Sequence, residues 1–407
     1  MRALKQIAPL LVAVVTLEVL FRFGVPGLWE GVPMFWTRGN QIDVLQQISI
    51  NAIVGFGMTL TILIGGIDLS VGAVLALVGT LTVYVLGAAG GGLHERLAIA
   101  GVCAAGALVL FEGVCQFGVL GKMPSYRAWA ARGAVLLGAI LAACFLQSAD
   151  GGVARLAVAV WAGLGVAGCF GLFNGVCAAK TRMPPFIITL ATMEIARGAA
   201  LRFNDGQPIH IPRDHPFLQL GLGRLFGVIP FPVIVMGAIF LAAAVLLHRT
   251  RFGQHLYAMG GNREAARFTG IRLARNEIAV YTLCALLAGV AGMIDASQNF
   301  SAVPSGGVGA ELDAIAASVV GGTSFTGGVG TIGGTFLGAV IIGILNKGVN
   351  QGGFHWATQH IVKGVVILTA VWFGVRKRKP FAFQHVVKRV VTLVSVAAAW
   401  FGRRRGK

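Results

Sequence analysis

Apolar runs about as long as a bilayer is thick recur along this chain, and they leave it few ways to fold. Residues 42–63, 156–179 and 278–297 are clear cases, and about 20 residues of helix cross the hydrocarbon of a membrane. Lipid offers no partner to open backbone N–H and C=O groups, so such spans are helices. Charged residues make up only 12% of the chain, half the roughly 25% of a soluble domain, so a charged surface cannot cover it. The fold class expected is all-α, a polytopic membrane protein.

Further spans read at 7–23, from 71 to about 86, at 97–120, 131–146, 186–201, 233–248, 332–349 and 359–373. A short or re-entrant helix is expected near 310–322, where the apolar part is too brief to cross. The total is about twelve transmembrane helices, with Lys and Arg alternating between loops as such a count requires. Arg2 and Lys5 ahead of the first apolar run resemble a signal peptide, but no small-x-small cleavage site follows, so a retained span is expected. Residues 1–375 form the transmembrane domain. Residues 376–407 form a basic tail, in which 386–401 reads as an interfacial helix.

The formal net charge of +18 does not point to nucleic acid, because no soluble domain carries a basic face. Most Lys and Arg fall at the N-terminal end, at 120–133, 179–185 and 248–276, and beyond 375. That bias places those segments and both termini in the cytoplasm. The six cysteines lie mostly inside apolar runs, without His at metal-ligand spacing, and read as packing residues. No metal site, cofactor site or catalytic residue is expected. His355 and His360 lack an acid nearby.

Three segments stand out. In Gly65-Gly-Ile-Asp-Leu-Ser-Val-Gly72, Asp68 sits among apolar residues, where an acid defaults to a functional or pairing role; it is also expected to cap the following helix. In Gly260-Gly-Asn-Arg-Glu-Ala-Ala-Arg-Phe-Thr-Gly270, a short amphipathic helix fits 263–268, with Asn262 as N-cap and Gly270 just past its end. It reads as a docking surface or as a connecting loop. Residues 305–334 are rich in glycine, and irregular backbone at membrane depth is tolerated where it lines a cavity or is buried in protein. Gly163, Gly168, Gly171, Asn174 and Gly175 make a small-residue face for helix packing. Glu194 and Arg197, three apart, share a face and are expected to pair.

These segments, with Pro185-Phe-Ile-Ile-Thr-Leu-Ala-Thr-Met193 and Arg197-Gly198, resemble the inner-membrane permeases of bacterial ABC sugar importers. The ribose and xylose permeases are the most similar type, xylose above all. The resemblance covers about 40–375 and implies a ten-span core, with 96–155 as an inserted pair of helices. It implies a cytoplasmic ABC ATPase that binds the ATP, a periplasmic or extracellular sugar-binding protein, and a second permease copy as a homodimer in the inner membrane. It implies that Gly260, Gly261, Asn262, Glu264, Ala265, Ala266, Arg267 and Gly270 form the ATPase-coupling segment.

Sugar hydroxyls crossing an apolar slab need partners, since each unmet buried polar group costs about 1–3 kcal/mol. The candidates for a translocation pathway are Asn51, Asp68, Ser70, Asn174, Glu311, Asp313, Thr323 and Ser324. The function expected is translocation of a monosaccharide, a pentose such as xylose or ribose. The alternative is an ion- or proton-coupled secondary transporter of a small polar solute, with Asp68 and Glu194 as relay acids. No residue pattern supports a membrane-embedded enzyme.

Overall fold

In the computed structural model, the described residues are 10–18, 24–25, 29–30, 37–87, 101, 152–181, 183–351, 361, 363–365 and 368. Among them, helices dominate and strands are two-residue pairs. The described helices are numbered here in chain order: α1 (10–18), α2 (Arg38–Leu63), α3 (Val71–Gly87), α4 (Gly152–Lys180), α5 (Pro185–Arg202) and α6 (Gln219–Leu222). After these come α7 (Phe231–Arg249), α8 (Arg251–Gly261), α9 (Arg263–Phe268), α10 (Leu273–Gln298), α11 (Ala310–Val320) and α12 (Ile332–Gln351).

Five stretches among the described residues are long and apolar enough to cross a membrane: Gly39–Leu63, Arg155–Lys180, Phe231–Arg249, Leu273–Gln298 and Ile332–Asn350. Val71–Gly87 is apolar but shorter. Helix α5 carries Glu194, Arg197 and Arg202 in its 18 residues. The expected spans at 97–120 and 131–146, the inserted segment they make up, most of 359–373 and the tail lie outside the described residues. Helix α11 has 11 residues. At 1.5 Å per residue it is about half as long as the roughly 30 Å of hydrocarbon.

The described residues fall into two compact units. The first holds residues up to Gly65, Val235–Asn262 and those from Leu312 onward. Its core joins α2 and α12. Phe240 bridges Phe56 and Phe336 with ring centroids 5.8 and 5.7 Å away. A hydroxyl ladder runs beside it. Thr59 donates to Ser318 Oγ (3.1 Å) and shares a bond with Thr335, and Ser318 Oγ donates to Gly55 C=O (3.2 Å). Each hydroxyl finds a partner within the core, so none is left to lipid. Glycine makes the approach of α11 to α12 possible: a side chain at Gly338 would strike the Ala317 carbonyl.

The second unit holds Gly66–Ile234 and Arg263–Glu311. Helix α3 lies at its centre, buried over nearly its whole length. Helices α4 and α10 are packed against each other and against α3. The expected small-residue face is what allows this. An ideal Cβ at Gly171 would sit 2.7 Å from Thr282 Cα, and one at Gly175 2.6 Å from Ile278 Cα. In this unit Ile209–His210 pairs antiparallel with Ser301–Ala302. Ser297 Oγ donates to Phe217 C=O and accepts from Gly221 N–H.

Candidate functional site

Two sets of residues carry the functional question: the segment at 260–270 and the polar groups held among apolar helices. The segment begins in the first unit with α8. Thr250 caps this helix, its hydroxyl accepting from Gly253 N–H at 3.5 Å. Phe252, Leu256 and Met259 face inward. Tyr257 Oη donates to Gly330 C=O at 2.7 Å. Its half-buried setting pushes the phenol above its ordinary range, so it stays a donor at neutral pH. Gly260 lies against the Leu63 carbonyl and the Gly327–Gly328 backbone. Gly328 N–H donates to Leu63 C=O at 2.9 Å. Gly261 and Asn262 are exposed. Asn262 takes an extended backbone (φ −156°, ψ 106°), the conformation an N-cap adopts.

The chain passes into the second unit between Asn262 and Arg263, where α9 begins. The helix ends in a Schellman motif. Gly270 takes φ +83°, its N–H returns to Arg267 C=O, and Ile271 N–H returns to Ala266 C=O. Glycine suits this position because a left-handed residue there carries no Cβ penalty. Ala266 is buried, while Glu264, Ala265, Arg267, Phe268 and Gly270 are exposed. Phe268 is 84% exposed. Arg263 Nη2 donates to Glu277 Oε2 at 2.6 Å, tying the start of α9 to the buried foot of α10. Sequence reasoning passed over Glu277; its signal was an acid at the entry of an apolar run.

Among the polar candidates, the second unit brings three together. Ser70 N–H and Oγ–H both donate to Asp68 Oδ1, at 2.9 and 2.6 Å. Asn174 Nδ2 donates to Ser70 Oγ at 3.0 Å. All three residues are fully buried. This corrects the expectation that Asp68 caps α3. Ser70 is the residue adjoining Val71, and Val74 N–H returns to its carbonyl at 2.8 Å. Asp68 stands two positions earlier, so its carboxylate reaches the turn and not the helix. Glu311 accepts from Gly309 N–H at 3.2 Å.

The expected Glu194–Arg197 pair is also corrected. Arg197 Nη1 donates to the carbonyls of Pro304 and Gly306, holding the loop ahead of α11. Glu194 is exposed, and with Glu311 it acts on Arg197 through its charge. Two open carbonyls in a Gly-rich loop are better placed for a half-buried guanidinium than an acid on the outer side of the same helix.

In the first unit Asp313 Oδ2 accepts from Lys363 Nζ at 2.9 Å and from Asn346 Nδ2 at 3.4 Å. Thr323 is buried, Ser324 shares a bond with Thr326 at 2.8 Å, and Asn51 is half-buried. Lys363 and Asn346 were missed from sequence, although a lysine within an apolar span defaults to a paired or functional role. Among the described residues no group of three or more His, Cys, Asp or Glu could hold a metal ion. Among the described residues, Cys169, Cys177 and Cys284 stand outside any disulfide.

Helices packed through small residues, polar groups bonded inside them and an exposed, glycine-ended helix between spans define a multi-pass membrane transport subunit. The chain belongs to the family described as branched-chain amino acid transport system / permease component, which matches residues 129–371. It is 38% identical to the ribose import permease protein of Escherichia coli, over 85% of this chain and 88% of that protein. It is 38% identical to the Escherichia coli L-arabinose transport system permease protein, over 51% of this chain and 62% of that one. With the D-allose transport system permease protein of the same organism it shares 31% identity over 83% of each. No solved structure matches the chain.

Proposed function

We propose that this chain is the membrane permease subunit of an ATP-binding cassette importer that carries a monosaccharide across the cytoplasmic membrane. The observation that carries the reading is the exposed helix α9, held at one end by the Arg263–Glu277 pair and closed at the other by Gly270. Such a surface suits a groove on a cytoplasmic ATPase, and the exposed residues Glu264, Ala265, Arg267 and Phe268 are the ones that face it. The permease then needs no cofactor of its own and performs no bond chemistry; ATP is bound by the partner. A sugar-binding protein delivers substrate on the other face, two permease copies form the pore, and both termini lie in the cytoplasm.

The relatives are named for ribose, L-arabinose and D-allose. A pentose is the substrate proposed: ribose because the ribose relative is matched over most of its length, and xylose because the sequence motifs resemble that type of permease. Residues 1–375 act as the transport domain, with 96–155 inserted and 376–407 as a basic tail. Of the polar candidates, Asn51, Glu311 and Ser324 are the ones with open surface. Asp68, Ser70, Asn174, Asp313 and Thr323 are buried, and meet a sugar only in another state of the cycle.

Co-expression with a cognate ABC ATPase tests the reading. A cysteine at position 264 should cross-link to the ATPase groove, and uptake of labelled xylose or ribose should require ATP. Uptake that survives ATP depletion but collapses with the proton gradient would support a secondary transporter instead.

A further inference from the structure

Between Gly223 and Phe231 the chain makes a short antiparallel hairpin, with Arg224 opposite Pro230 and Leu225 opposite Ile229. Val228 N–H closes its turn on Leu225 C=O at 3.1 Å. Both residues inside the turn take positive φ, 51° at Phe226 and 69° at Gly227. Asn-Gly or Asp-Gly is the usual pair in such a turn, and a bulky L-residue at positive φ is strained. Phe226 gains no burial in return. It is 89% exposed, and Leu225, Val228 and Ile229 beside it are exposed as well. A strained aromatic at the tip of an apolar hairpin calls for apolar surroundings from outside the chain.

The hairpin's base shows which surroundings these are. Phe231 N–H donates to Gly223 C=O at 2.9 Å, and any side chain at Gly223 would press on the Phe231 ring. The tip is thereby fixed to the first turn of α7. Of the five spans among the described residues, α7 has the highest mean hydropathy, 2.4, and the smallest buried share, 22%. A helix that apolar and that open is covered by lipid, and the hairpin leaves the chain where that cover begins. Arg224 is exposed at the foot of the tip, where its charge can meet phosphate while its stem lies along apolar surface. Apolar side chains dipping below the headgroups, with snorkelling cations above them, are usual in this zone.

We propose that the 225–229 tip is a membrane-interface anchor, seated at the headgroup–acyl boundary beside α7, with a phospholipid as its partner. The test places the photoreactive residue p-benzoylphenylalanine at position 226 of the full chain, in vesicles of phosphatidylethanolamine and phosphatidylglycerol. Illumination should add the mass of one phospholipid, in a yield comparable to that of the same probe at Leu241, 64% exposed on α7. A cross-link to a second copy of the chain, or no adduct, overturns the assignment. Phe226→Asn supplies the control for folding, since Asn tolerates positive φ. It should remain inserted, and its 223–232 amides should gain less protection than those of wild type on transfer from detergent to the same vesicles. An equal or greater gain also overturns the anchor.

Discussion

Gly260 rests against the carbonyl of Leu63, so closely that a single methyl group would collide with it. The same carbonyl accepts from Gly328 N–H at 2.9 Å. The end of α2, the α8 helix and the Gly-rich loop at 327–328 therefore meet backbone to backbone, and a displacement of α8 moves all three. Gly260→Ala should lower stability by about 1–3 kcal/mol, the usual cost of overpacking, and abolish uptake while ATP hydrolysis persists. Thermal melting and paired uptake and hydrolysis assays check it; normal uptake shows that the junction transmits nothing.

Tyr257→Phe loosens the same junction more gently. It removes one hydrogen bond to Gly330, worth about 0.5–1.5 kcal/mol. Burial raises the phenol's pKa in the folded chain above its ordinary 10.0. The neutral form is the bound one, so this contribution is complete below pH 10 and is lost as pH rises through the higher folded value. Melting temperatures of wild type and Tyr257→Phe should run parallel through neutral pH and converge only in strong alkali.

At the second unit's end of the segment, Glu264→Arg reverses an exposed charge and touches no packed neighbour. Insertion and stability should stay within about 0.5 kcal/mol of wild type, as for surface changes generally. The number of ATP molecules spent per sugar should rise steeply. Gly270→Val should act in the same direction through the helix end, whereas Gly270→Asn, which tolerates the left-handed backbone, should be mild.

Arg263→Ala leaves the buried Glu277 carboxylate without its partner. Removing one member of a buried pair costs about 3–5 kcal/mol, and the half-exposed arginine reduces that toward roughly 1–2 kcal/mol, nearer the value of surface pairs. Adding Glu277→Gln should recover part of the loss. A double-mutant cycle on chemical or thermal unfolding measures the coupling; zero coupling contradicts the tie between α9 and α10.

Asp68→Asn separates the two transport mechanisms. The amide oxygen can still accept both bonds from Ser70, so folding and ATP-driven uptake should survive. Asp68→Ala leaves the Ser70 donors unmet and should cost about 1–3 kcal/mol. Loss of uptake in the Asn variant, with folding intact, would make the charge itself part of transport.

Much of this architecture could be read from residue order, for identifiable reasons. Helix α9 was legible to its ends because Asn262 and Gly270 are punctuation with a backbone meaning. The face made by Gly171 and Gly175 was legible because glycine at helical spacing has few other uses in a membrane. The short α11 followed from an apolar stretch too brief to cross. What escaped were pairings across long sequence separation. Arg197 bonds carbonyls more than a hundred residues away, and carbonyls have no side-chain signature. Tyr257 finds the Gly330 carbonyl in the same way, while Lys363 and Asp313 are both visible as charges in apolar runs but nothing in their order says that they meet. Asp68 was misplaced by two residues, enough to exchange a helix cap for a turn.

On the proposed function, this chain is a gate driven by another subunit's ATP hydrolysis. Purified protein should be placed in sealed vesicles with its ATPase and sugar-binding protein, and radiolabelled pentose followed over time. Accumulation above the outside concentration should appear with ATP and vanish when the ATPase is left out. Concentrative uptake by this chain alone, powered by an imposed ion gradient, would contradict the account.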